Sequence, residues 1–159
     1  PMPSARRALA AAASRGLVYA FGGAGDAGRA LNVAECFDPL LGDWRMLPTM
    51  PTARCYLGAA AVEGLLYVIG GNGGVGNRLC TIECFDPGLR LWRSLPPMST
   101  PRLGFSVVSA ASSLYVFGGY SYGQALATSE RFTPGTGSWD TLPAMPTARY
   151  SAAAASLQM

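Results

Sequence analysis

Catalysis needs side chains that exchange protons, attack or ligate metals, and this sequence offers a narrow set of them. Its nine acids face twelve arginines, with no Lys and no His, giving a net charge of +3. Without imidazole, Ser-His-Asp sets and histidine-based metal centres cannot be assembled from these residues. General acid–base chemistry would need paired or tuned carboxylates. Most of the acids recur at regular intervals or flank a Trp, and only Asp26 and Glu63 stand outside that pattern. The four cysteines form no C-x-x-C pair, so zinc is unsupported, and small buried thiols in a reducing, cytoplasmic setting are expected. No phosphate-loop motif is present. These residues imply no catalytic residue, no metal and no cofactor, and leave the arginines as the side chains best placed for recognition.

The arginines recur, and so does everything around them. Arg6, Arg54 and Arg102 are spaced by 48 residues, as are the diglycines Gly22-Gly23, Gly70-Gly71 and Gly118-Gly119. Glu35, Glu83 and Glu130 keep the rhythm, and so do Trp44, Trp92 and Trp139 and the stretches opened by Met2, Met50, Met98 and Met145. The interval from diglycine to Glu alone shortens by one residue in the third repeat, which marks that connection as a loop. A sustained period of this length is the signature of a repeat architecture.

Each repeat contains four strand-length segments. In the second, these are the small apolar run from Leu57 to Val62, the buried-type run from Leu65 to Ile69, Thr81 to Phe85, and a segment around Leu91 to Leu95. Asp86-Pro87 and Pro96-Pro97 close the last two, since Pro cannot donate to a ladder. Four short strands per unit of this size make one propeller blade. No apolar stretch approaches the roughly 20 residues of a membrane helix. The Arg6-Arg7 and Ala-rich start imitates a secretory leader, but the same stretch recurs at Arg54–Val62 inside a repeat, so it is read as fold.

The order of apolar run, diglycine, Glu-x-Phe-Asp-Pro, a Trp and then Pro-x-x-Arg resembles the kelch repeat, and the resemblance covers essentially the whole chain. Phe132-Thr133-Pro134 and Ser99-Thr100-Pro101-Arg102 depart from the pattern. The resemblance implies an all-β fold: a partial β-propeller with four-stranded antiparallel blades at about 7–49, 54–97 and 102–144, and the first strand of a fourth at about 149–157. Propellers close with typically 4–8 blades. Three blades should therefore leave two uncovered, apolar blade faces, to be covered by further kelch blades in the same chain or by a second copy.

Antiparallel strands sort the loops by face. One face collects the connections that carry Arg6, Arg7, Arg54, Arg102 and Arg149 and the loops that carry Asp26, Arg29 and Arg78: seven arginines against one acid. In kelch adaptors the Arg opening the first strand, the residue after it and the residue after the diglycine line a peptide pocket. The resemblance thus implies Arg54, Arg102, Arg149, Tyr150, Asn72 and Tyr120 as peptide-binding residues, and the unrepeated Arg78 and Tyr122 join them. Repeated Arg–Glu pairs internal to each blade are the alternative. The expected role is a protein-interaction module for an acidic partner, as in ubiquitin-ligase substrate adaptors. A cytoskeletal scaffold, or a part of a kelch-type enzyme such as a sugar mutarotase or copper oxidase, is the other reading. Nucleic acid is not expected, because the arginines are spread at repeat spacing and form no dense patch interleaved with aromatics.

Overall fold

The computed structural model describes residues 1–155. They form three antiparallel four-stranded sheets, each meandering from its first strand to its last. The first blade contains β1 (Ala10–Ser14), β2 (Leu17–Phe21), β3 (Ala34–Asp38) and β4 (Asp43–Met46), and the second β5 (Gly58–Val62), β6 (Leu65–Ile69), β7 (Ile82–Asp86) and β8 (Leu91–Leu95). The third contains β9 (Ser106–Ala110), β10 (Ser113–Phe117), β13 (Ser129–Thr133) and β14 (Ser138–Leu142), and its loop adds a two-residue hairpin, β11 (Tyr120–Ser121) with β12 (Gln124–Ala125).

The first strands β1, β5 and β9 lie side by side and the remaining strands fan outward. β1 and β5 are rich in Ala and β9 in Ser and Val, and with Ala154 and Ala155 they line an open groove of ≈ 300 Å³ along the innermost strands. Of the first strand expected at 149–157, residues 149–155 pack beside β9 and form no ladder of their own, and 156–157 lie outside the described residues.

Two apolar seams join the blades. In one, Tyr19, Phe21, Ala34 and Cys36 pack against Leu66, Val68, Phe85 and Trp92. In the other, Tyr67, Ile69, Ile82 and Cys84 pack against Phe105, Leu114, Val116 and Phe132. Two of the three Trp also reach back one blade: Trp92 Nε1 donates to the Pro48 carbonyl at 2.9 Å and Trp139 Nε1 to that of Pro96 at 2.8 Å. The Phe and Trp of each blade pack tilted with ring centroids 5.0–5.3 Å apart, so in the second and third blades one aromatic pair supplies both packing area and the inter-blade hydrogen bond.

The first glycine of each pair has no room for a side chain. A Cβ on Gly70, whose φ is +53°, would lie 2.8 Å from the Arg102 carbonyl oxygen, and one on Gly118 would lie 2.4 Å from that of Arg149. Gly16 has φ +78° but nothing within 4 Å. Gly70→Ala is therefore expected to lower the unfolding free energy by about 3 kcal/mol or more, from clash added to left-handed strain. Gly16→Ala should cost only about 1–2 kcal/mol, the strain alone. Urea unfolding of both variants measures the difference, and equal losses would refute the close-approach role of the diglycine.

Candidate functional site

The repeated arginines open the first strands, and the fold turns their side chains inward. Arg54 Nη2 lies 2.9 Å from Glu83 Oε1, with neither side chain more than 3 % exposed. Arg54 Nη1 donates to the carbonyls of Gly70 (2.9 Å) and Thr81 (3.2 Å), and Nη2 donates to Thr81 Oγ1 (3.2 Å). Thr52 Oγ1 adds a hydrogen bond to Glu83. Arg102 repeats the set with Glu130 at 2.5 Å, the Gly118 carbonyl and Thr128, and Ser99 donates to Glu130 through both N and Oγ. Arg6 pairs with Glu35 at 2.6 Å, and Ser4 Oγ donates to the same carboxylate.

Burial pushes the Arg54 and Arg102 guanidinia below their ordinary pKa, and the facing carboxylates of Glu83 and Glu130 oppose the shift. Such pairs are held by their hydrogen bonds, since desolvation offsets much of the attraction. Arg54 and Arg102, expected from the family resemblance to contact a peptide, have 0 % exposure and bind their own blade. As ligand contacts they are corrected to scaffold, because a fully buried and hydrogen-bonded guanidinium has no surface to offer.

Removing three paired arginines from seven leaves four, Arg7, Arg29, Arg78 and Arg149, that form no ion pair among the described residues. The loop backbones bring their neighbourhoods together. Residues after each Arg bridge to those after each diglycine (Arg7 to Ala24, Cys55 to Asn72, Leu103 to Tyr120), and Asn72 bridges onward to Arg78. The Arg78 guanidinium carbon sits 5.7 Å from the Tyr120 ring centroid, within cation–π range. Tyr120 meets Tyr150 edge-on at 5.5 Å. Tyr150 is 58 % and Tyr122 77 % exposed, the latter at the tip of the β11–β12 hairpin. Asn72, Arg78, Tyr120 and Tyr150 thus form one ledge, with Tyr122 at the hairpin tip beyond Tyr120 and the exposed Arg149 next in sequence to Tyr150.

A cleft of ≈ 460 Å³ lies between the loops of the first two blades, walled by Arg29 and Gly28 on one side and Asn72, Gly73, Gly74 and Cys55 on the other. Asn72 Oδ1 accepts from Gly74 N at 3.1 Å, so its side chain shapes the loop. Arg29 stood out in the sequence as an unrepeated loop-face Arg but was not placed in the peptide-binding set, and Gly73-Gly74 were not singled out. Their signal is an unrepeated Arg and the glycine-rich run 72–76 in a connection that varies in length. Burial raises the thiol pKa of Cys36, Cys55 and Cys84, so they are poor nucleophiles. Among the described residues no group of three or more His, Cys, Asp or Glu is placed to hold a metal ion.

Arg54→Ala should strand Glu83 and cost about 3–5 kcal/mol of stability, whereas Arg78→Ala should cost about 1 kcal/mol or less. Denaturant melts of the two variants compare the roles directly, and an Arg54→Ala protein as stable as the parent would return Arg54 to the ligand face.

A Kelch motif matches the chain three times, at residues 5–51, 53–99 and 101–146. The structure is similar to that of YjhT, with a TM-score of 0.80 and 18 % identity over 91 % of this chain, a likeness of fold. The match takes in 54 % of YjhT, so the chain spans about half the length of that relative. No curated protein matches the sequence. With the motif repeated almost without a gap from residue 5 to residue 146, and each match containing one four-stranded blade, the chain belongs to the kelch repeat family.

Proposed function

We propose that this chain is a protein-interaction module that recognises an acidic segment of a partner through its loop face. The observation that carries this reading is the charge left after the scaffold pairs are made: four unpaired arginines against Asp26 among the described residues, next to an exposed tyrosine ledge. Arg forks suit carboxylate or phosphate, and tyrosines give contact area at low entropic cost. Loops on a rigid sheet scaffold are the usual place for recognition. Asp26 and Glu63, the acids outside the repeat, sit in a β2–β3 loop and a β5–β6 turn at opposite ends of the blades, which favours recognition over acid–base chemistry. The four free cysteines fit a reducing, cytoplasmic setting. Substrate selection for a ubiquitin ligase is one role such a module would serve.

Fluorescence anisotropy with labelled acidic, phosphorylated and neutral peptides tests the reading. Acidic peptides should bind preferentially, and the affinity should fall as salt rises from 0.1 to 1 M and the Debye length shrinks from about 10 to about 3 Å. Arg78→Ala and Tyr120→Ala should each weaken binding about tenfold, the size of a moderate hot spot. Equal affinity for neutral peptides at all salt concentrations would remove the acidic partner.

A further inference from the structure

The cleft between the loops of the first two blades holds unused positive charge. Its walls are residues 27–30 of the β2–β3 loop and 72–75 of the β6–β7 loop, with Cys55 between them. Its ≈ 460 Å³ falls within the roughly 300–1,000 Å³ of small-ligand pockets. Arg29 is the one charged side chain that lines it. Arg7 stands against the same loop: a Cβ on Gly28 would lie 3.7 Å from its Nη2. Arg7 and Ala30 bridge to the two edges of Ala24. Two ladder spacings put the backbones of Arg7 and Ala30 about 10 Å apart, so the long side chains of Arg7 and Arg29 can both reach one small anion.

Nothing in the cleft neutralises this charge. Neither arginine forms an ion pair among the described residues. Asp26, at the tip of the turn closed by Gly28 N to the Gly25 carbonyl, pairs with neither and does not line the cleft. Cys55 Sγ donates to the Asn72 carbonyl at 3.5 Å, and burial raises its pKa, so the thiol stays neutral. The wall facing Arg29 is largely backbone. Gly73 and Gly74 carry no side chain, and Asn72 Oδ1 holds Gly74 N at 3.1 Å, so an incoming group meets a loop of fixed shape that it can approach closely.

We propose that this cleft is a phosphate pocket, which seats one phosphorylated side chain of the partner segment between Arg7 and Arg29. The inference rests on the protein-interaction reading above and names the chemistry of one ligand group. A phosphate monoester carries about −1.5 to −2 charge at pH 7 and three acceptor oxygens, enough for two guanidinium forks. An Asp or Glu carboxylate brings a single charge and two oxygens, and would leave one of the two arginines without a partner. The cleft therefore prefers phosphate to carboxylate. The ledge of Arg78, Tyr120 and Tyr150 has no such preference, because it offers one guanidinium already set against a ring.

Equilibrium dialysis of the 159-residue chain against labelled O-phospho-L-serine and labelled L-aspartate tests the pocket apart from any peptide. Phosphoserine should bind about tenfold more tightly than aspartate, or better. Arg29→Gln and Arg7→Gln should each weaken phosphoserine binding about tenfold, the loss of one charge-assisted contact. Arg90→Gln removes the same charge from the exposed β7–β8 turn and should leave binding unchanged. A peptide carrying one phosphoserine should bind about tenfold more tightly than free phosphoserine, which separates a partner segment from a small phosphate monoester. Equal binding of phosphoserine and aspartate, an Arg29→Gln protein that binds like the parent, or an equal loss in Arg90→Gln would overturn the pocket. A phosphopeptide that gains nothing over free phosphoserine would overturn the partner segment as the source of the phosphate. Failure of the acidic peptides in the anisotropy assay counts against the protein-interaction reading, while the dialysis decides the pocket.

Discussion

The structure depends on a buried arginine used at both ends. Arg54 joins Glu83 in its own blade through the guanidinium, while its backbone N donates to the Leu31 carbonyl and its own carbonyl accepts from Gly23 N, both in the preceding blade. Arg102 does the same with Glu130, Leu79 and Gly71. A guanidinium buried this deeply is tolerable only with its carboxylate and several carbonyls in place. The same residue thus fixes the second-to-third strand connection within a blade and the register between blades.

Other repeated features follow from that constraint. The diglycine must be small because the arginine carbonyl of the next blade occupies the space of its Cβ. Thr52 and Ser99 precede their arginines because the paired carboxylates have further lone pairs to satisfy. The Trp of the second and third blades ties back to a Pro carbonyl of the preceding blade, which closes the outer edge as the arginine closes the inner. Once the repeated arginines are consumed this way, the proposed recognition rests on loop-face residues outside the Arg–Glu pairs: Arg29, Arg78, Tyr120, Tyr122 and Tyr150.

The strands were largely legible from the sequence. Leu65–Ile69 and Leu91–Leu95 are the observed β6 and β8, because a run between a turn and a diglycine or a Pro pair has little freedom to shift. The role of the arginines was left open between pairing with Glu inside the blade and contact with a ligand. Spacing showed that each blade has one recurring Arg and one recurring Glu, but whether they meet depends on side-chain burial, which periodicity does not encode. The β11–β12 hairpin escaped notice for the opposite reason: Tyr-Ser-Tyr-Gly-Gln has no counterpart in the other repeats, so no pattern pointed to it. The ledge was half visible, since Tyr120 and Tyr150 were singled out by position and Arg78 by its irregularity. Their convergence needed the bridges between adjacent loops.

The central claim is that Arg and Glu form one energetic unit within each blade. A double-mutant cycle on Arg102 and Glu130, with Arg102→Leu, Glu130→Leu and both together followed by urea unfolding, measures their coupling directly. Each single change should cost about 3–5 kcal/mol by leaving a buried charge alone, and the double change clearly less than their sum. Costs that add within about 0.5 kcal/mol would show two independent residues, and would contradict the account.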